Sequence, residues 1–131
     1  MMERAKAALR NFSNKTKFVQ GRTDVVVHQF ANDSLDFIYL DARHDYCAVK
    51  NDLTLWWPKL RRGGIFAGHD YMTHEAVAPR QDWTLCEDGR KEPGAVKRAV
   101  DEFAREHSLM ISVTYREPHG NSRSYIMRKP F

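Results

Sequence analysis

The run Leu35-Asp36-Phe37-Ile38-Tyr39-Leu40 is apolar at all positions but one, and then turns abruptly polar at Asp41-Ala42-Arg43-His44-Asp45. That pattern predicts a strand covered on both faces. A second run, Ile65-Phe66-Ala67-Gly68, ends the same way in His69-Asp70-Tyr71. Between the two, Val49, Leu53, Trp57 and Leu60 recur at helical spacing from Tyr46 onward. The Gly63-Gly64 pair, preceded by Arg61-Arg62, reads as the stop of that helix.

Upstream, Ala5, Ala8, Leu9 and Phe12 share one face of a short helix, closed by Asn11, Ser13 and Asn14. Lys17-Phe18-Val19-Gln20 reads as a short strand ended by Gly21. Asp24 is placed to cap a short helix through Val25, Val26, Val27 and Phe30, and Asn32-Asp33-Ser34 is a turn signal. Downstream, residues 72–93 lack periodicity and contain Pro79, Gly89 and Pro93, which predicts a long loop of the kind that carries function. Ala95, Val96, Ala99, Val100, Phe103 and Ala104 mark an amphipathic helix. Met110–Tyr115 and Ser124–Met127 read as a closing pair of strands turned at His119-Gly120-Asn121. This order predicts an α/β layered, Rossmann-like fold over residues 1–131 as a single domain, with a mainly parallel sheet and a C-terminal antiparallel hairpin.

Length, composition and charge narrow the class without naming it. With 131 residues the chain can bury one core. A net charge of +4, with acids scattered among the bases, fits a solvated surface better than a nucleic-acid footprint. No run nears the ~18 apolar residues of a membrane span, and the N-terminus lacks the apolar core of a secretory signal. Cys47 and Cys86 have neither CxxC nor CxxH spacing. They read as reduced thiols in an intracellular, cytoplasmic setting, not as a disulfide or zinc site.

In open α/β sheets ligands bind in the crevice at the carboxyl ends of the strands. Asp41 and Asp70 stand there on two successive strands, each free to bind a hard cation, accept a hydrogen bond or act as a base. They could share one divalent ion with His69 or His44, or merely cap the next helix or loop. Histidines beside a helix N-terminus are most often hydrogen-bonded structural residues, and His44 and His69 carry that reading as well. Trp56 and Trp57 read as packing, and Tyr46 and Tyr71 suit either a pocket wall or the core. No GxGxxG or GxxxxGK[ST] phosphate loop occurs.

The stretch SLDFIYLDARHDYCAVKNDLTLWWPKLRRGGIFAGHDY, followed after a loop by PGAVKRAVDEFA, resembles the class I S-adenosylmethionine-dependent methyltransferases of the small-molecule methyltransferase-family-24 type. The stretch KTKFVQGRTDVV resembles that family's third strand and adenine-side turn. The resemblance implies transfer of a methyl group from the sulfonium of S-adenosylmethionine to an oxygen or nitrogen of a small molecule. It implies that Gly21, Arg22, Thr23 and Asp24 flank the adenine, and that Asp41, Ala42 and Arg43 lie beside the methionine end. It makes Asp41, His44 and Asp70 the catalytic candidates, with His44 as general base. Metal-dependent relatives hold magnesium at the ends of the fourth and fifth strands, which here implies Asp41 and Asp70 with His69 in place of an acid.

The family's opening strand, with its acidic Gly-rich loop, and its second, ribose-binding strand have no counterpart in the sequence. In the family they lie between the third strand and the fourth, so their absence implies an uncovered edge at Leu35–Leu40. Three covers are conceivable: the strand Lys17–Gln20, a partner chain, or a second copy in a homo-oligomer. The expected activity is therefore methyl transfer by a chain incomplete on its own, and the alternative is a non-catalytic methyltransferase-like scaffold or assembly subunit. Neither nucleic acid nor membrane is an expected partner.

Overall fold

A computed structural model describes residues 2–77, 79–118 and 122–131. The N-terminal segment is helical for longer than its spacing suggests and never becomes a strand. Helix α1 (Met2–Ala8) runs into a 3-10 turn over Arg10–Lys15, and residues 16–20 follow in irregular, unpaired backbone. The expected strand Lys17–Gln20 is thus absent: with only Phe18 and Val19 apolar, it has little to gain from joining a sheet. The short helix α2 (Thr23–Val26) starts after Arg22, so Asp24 lies inside its first turn and does not cap it.

Strand β1 (Leu35–Leu40) leads to helix α3 (Tyr46–Trp56). Asp45 caps that helix, its carboxylate accepting the Ala48 N–H at 3.0 Å. Pro58 ends the helix in a 3-10 turn (Trp57–Lys59), because proline has no N–H to continue the ladder. Strand β2 (Leu60–Gly68) therefore begins three residues before the glycine pair expected to stop the helix. Gly63 instead takes a left-handed φ of +71° within the strand. Here the parallel pairing with β1 jumps from Leu35↔Leu60 to Phe37↔Ile65, a bulge that restores register for the strand ends.

After the long loop, with a 3-10 turn at His74–Ala76, come helix α4 (Ala95–Glu106), strand β3 (Ser112–Val113) and strand β4 (Tyr125–Arg128). The hairpin turn expected at 119–121 lies outside the described residues. The sheet order is β1-β2-β4-β3. Only β1 and β2 are parallel; β2–β4 and β4–β3 are antiparallel, so the sheet is mixed and not mainly parallel.

The core lies on one face of this sheet. Ile38, Phe66, Tyr125 and Met127 meet Val49 and Leu53 of α3 and Val96, Ala99, Val100 and Phe103 of α4. The Tyr125 ring fills the space over Gly68, where a Cβ would sit 2.6 Å from its Cε1. On the opposite face Phe37, Tyr39 and Ile126 stay 57%, 48% and 36% exposed. The run Leu35–Leu40, expected to be covered on both sides, is covered on one. β1 is also an edge strand of the described sheet.

Candidate functional site

A cavity of about 640 Å³ opens beside the carboxyl end of β1, between the turn at Gly21–Asp24 and the N-terminal half of α3. Gly21, Arg22, Thr23 and Asp24 line one wall, and Ala42 and Arg43 another. Asp41 faces a neighbouring cavity of about 10 Å³, together with His44, His69 and Tyr125. The two cavities share Ala42 and Arg43.

The roof of the large cavity comes from the long loop. Cys47 and Cys86 form a disulfide with their Cα atoms 5.7 Å apart, which overturns the expectation of two reduced thiols. Spacing rules see only cysteines close in sequence; these are 39 positions apart and meet through the fold. Next to the bridge, Glu87 accepts two hydrogen bonds from Arg22, at 2.6 and 2.9 Å, and lies 3.7 Å from Arg43. Its partners hold the Glu87 carboxyl below its ordinary range and raise the Arg22 guanidinium. Arg22 also binds Asp24 through Nε and Nη2, which holds that acid low as well. The Arg43 guanidinium spans from Asp45, at 2.8 Å, to the Leu85 carbonyl.

The floor holds a buried acid. Asp52 is 3% exposed, and the Thr23 hydroxyl donates to its Oδ1 at 2.7 Å. Burial pushes this carboxyl up; the Thr23 bond opposes the shift, and the charges of Asp24 and Asp45 add to it.

At the strand ends, Asp41, His44 and Asp70 converge. Each offers one ligand atom, and these atoms all lie within 4.8 Å of one another. His44 Nε2 is 3.0 Å from Asp70 Oδ2 and 3.5 Å from Asp41 Oδ1, yet neither contact has hydrogen-bond geometry. The nitrogen is buried and lacks a directed partner among the described residues. Trp83, from the long loop, stacks on the imidazole at 4.4 Å. His69 is committed elsewhere: Nε2 to Glu117 at 2.8 Å and Nδ1 close to Asp70 Oδ1 at 3.2 Å. Asp70 also accepts a 2.6 Å bond from Ser122. Tyr46 and Tyr71 belong to the packing layer, their hydroxyls donating to Glu102 and Asp101 on α4. Trp57 packs against Phe66 and Phe103, and Trp56 against Phe30, as expected of packing residues.

A model of methyltransferase family 24, described as a methyltransferase domain, matches residues 2–71. The chain belongs to this methyltransferase family. Solved structures carry the same fold at low identity. A Corynebacterium glutamicum protein shares 20% identity at a TM-score of 0.64, over 99% of this chain and 56% of its own. An O-methyltransferase family protein from Burkholderia thailandensis shares 13% at 0.67, over 98% of this chain and 41% of its own. A SAM-dependent methyltransferase from Archaeoglobus fulgidus shares 8% at 0.61, over 89% and 69%. The chain thus spans about half the length of the first two. A comparison with curated proteins finds no match.

In this methyltransferase-family chain, the Gly21–Asp24 turn and the Ala42-Arg43 segment share one cavity, and Asp41, His44 and Asp70 share one cluster. Sequence reasoning missed Asp52, Glu87, Trp83 and the disulfide. Only Asp52 left a trace, as a polar residue beside Leu53 on the inward face of the amphipathic helix.

Proposed function

We propose that this chain binds S-adenosylmethionine in the 640 Å³ cavity and takes part in methyl transfer to an oxygen or nitrogen of a small molecule. What supports the reading is that the turn the resemblance assigns to the adenine, Gly21–Asp24, borders the same cavity as Ala42 and Arg43, two of the three residues it assigns to the methionine end, and that these two also line the small cavity where Asp41 and His44 stand. The donor supplies an already activated methyl group on a sulfonium, so the protein's task is alignment and proton removal. Gly21, Arg22, Thr23 and Asp24 hold the base, and Asp41, Ala42 and Arg43 border the methionine end. His44 Nε2, buried at the cluster with no directed hydrogen bond among the described residues, receives the acceptor's proton while Asp41 and Asp70 stabilise the imidazolium. The proposed acceptor is a small molecule with its hydroxyl or amine placed at this cluster.

A divalent cation would find its ligands at Asp41, His44 and Asp70, since both His69 nitrogens are already engaged. In a cation-bound form His44 Nε2, which has no directed partner among the described residues, would be a ligand in place of a proton acceptor, and one nitrogen with two carboxylates suits manganese or zinc better than magnesium. Bound there, a cation lowers the pKa of an acceptor hydroxyl. Mn2+ is expected to broaden the NMR resonances of His44 at stoichiometric concentration and not to do so in Asp70→Asn. Equal broadening in both proteins would rule this cation site out.

Calorimetric titration with S-adenosylhomocysteine tests the main reading, with one-to-one binding expected. A second reading, a non-catalytic scaffold closed by another copy or a partner chain at β1, draws on the exposed Phe37 and Tyr39 and the open edge. A chain that binds no S-adenosylhomocysteine and scatters light as a stable dimer would replace the first reading with the second.

A further inference from the structure

A buried carboxylate stands beside the disulfide. One ligand atom each from Asp45, Cys47 and Cys86 lies within 4.8 Å of the other two. Asp45 and Cys86 are 4% and 2% exposed, and all three residues line the large cavity. The Asp45 carboxylate is held in place from two sides: Oδ1 accepts the Ala48 N–H at 3.0 Å, and Oδ2 accepts Arg43 Nε at 2.8 Å. Each oxygen keeps a lone pair beyond those bonds. Arg90 Nη2 reaches Cys47 Sγ at 3.7 Å, and Cys47 stands in the first turn of the 11-residue helix α3. A cationic N–H donor at the sulfur and a helix N-terminus both favour a thiolate over a thiol. Arg90 is itself paired with Asp88, and Arg43 with Asp45, so neither brings an uncompensated positive charge to the sulfurs.

From this we infer that, once the bridge is reduced, Asp45, Cys47 and Cys86 form a zinc site that takes over from the disulfide the task of holding the long loop to α3. A dithiol reductant delivers two electrons and two protons to the bridge, closes to a disulfide itself and leaves two thiols. Zn2+ then displaces both thiol protons to solvent and binds two sulfurs and one carboxylate oxygen. Two thiolates select zinc over the hard cations magnesium and calcium. Ala48 and Arg43 supply the outer hydrogen bonds that orient a carboxylate ligand. Three protein ligands leave a fourth tetrahedral position, and the cavity that all three border admits water to it. The loop thus keeps a cross-link to the body in either redox state, whatever else the cavity binds.

Cobalt(II), a coloured stand-in for zinc, is added to the intact chain before and after reduction with a phosphine that is then removed without air. The reduced protein should take up one equivalent with a thiolate-to-cobalt charge-transfer band, and zinc should bleach that band. The oxidised protein should show none. Cobalt held at Asp41, His44 and Asp70 gives no sulfur band, because that cluster contains no cysteine. Cys47→Ser and Cys86→Ser should each lose the tight binding. Asp45→Asn keeps an oxygen for the Ala48 N–H and so the helix cap, yet should bind zinc about ten-fold or more weakly. Zinc should also raise the urea midpoint of the metal-free reduced chain more than that of the oxidised one, since an ion that binds only the folded form stabilises it. A reduced chain without the sulfur band would overturn the inference. So would equal zinc affinity in the native protein and Asp45→Asn, or a zinc effect on the midpoint that is the same in both redox states.

Discussion

Reducing the Cys47–Cys86 disulfide is expected to lower the stability of this chain by about 4 kcal/mol, the chain-entropy estimate for a loop of 39 residues. Against the ~5–15 kcal/mol that holds small domains folded, that is a large fraction. The bond ties a long irregular loop to the first turns of α3, and Cys86 is 2% exposed. Around it the loop folds on itself: Cys86 N–H donates to the Arg90 carbonyl, Gly89 N–H to the Cys86 carbonyl, and Leu85 pairs with Lys91. Those contacts hold the loop's shape but do not hold it on the body. Its other anchors at this end include the exposed Glu87 pairs with Arg22 and Arg43, which solvent screens, the long bonds of Arg43 to the Leu85 carbonyl and of Arg90 to Cys47 Sγ, and the Trp83 stack on His44. Urea unfolding with and without a phosphine reductant should show the loss as a lower midpoint, reproduced in the Cys47→Ala, Cys86→Ala double variant. The reduced protein should also bind S-adenosylhomocysteine more weakly, since Cys86, Glu87 and Asp88 line the cavity. Midpoints that coincide in the two redox states would contradict the prediction.

That bond also marks where the sequence stops being readable. Helix α4 was legible in full because its signal is local: Ala95, Val96, Ala99, Val100, Phe103 and Ala104 repeat at helical spacing, and all six are buried. The strand ends at Asp41 and Asp70 were legible for the same reason, since an apolar run that stops at titratable residues needs no partner to be seen. The glycine pair misled because glycine after a helix pattern usually marks a stop; proline had already ended the helix, and Gly63 served a bulge. The walls of the cavity had no local signal at all. Asp52 gains its meaning from a threonine 29 positions away, and Glu87 from an arginine 65 positions away. Such pairs follow from topology, which here depends on a one-sided sheet that the run Leu35–Leu40 did not reveal.

The one-sided sheet makes a second large expectation. Phe103→Ala should cost about 3–5 kcal/mol, the range for deleting a fully buried aromatic ring. Phe103 is 1% exposed, meets the Trp57 indole edge-on at 5.3 Å and stacks on His107 at 4.0 Å. Its ring joins α4 to the sheet where α3 gives way to β2, and the vacated space cannot collapse without moving one of the two helices. Phe37→Ala on β1 is the matching control. Phe37 has the same side chain but is 57% exposed and faces away from both helices, so its loss should cost well under 1 kcal/mol in a monomer. The contrast separates the two proposed states of the chain. If Phe37→Ala proves as costly as Phe103→Ala, and the cost grows with protein concentration, the bare face is buried in an assembly, because only binding makes stability depend on concentration. If the cost is small at every concentration, Phe37 stands in water, and the cavity at Gly21–Asp24 lies beside a bare face of the described sheet.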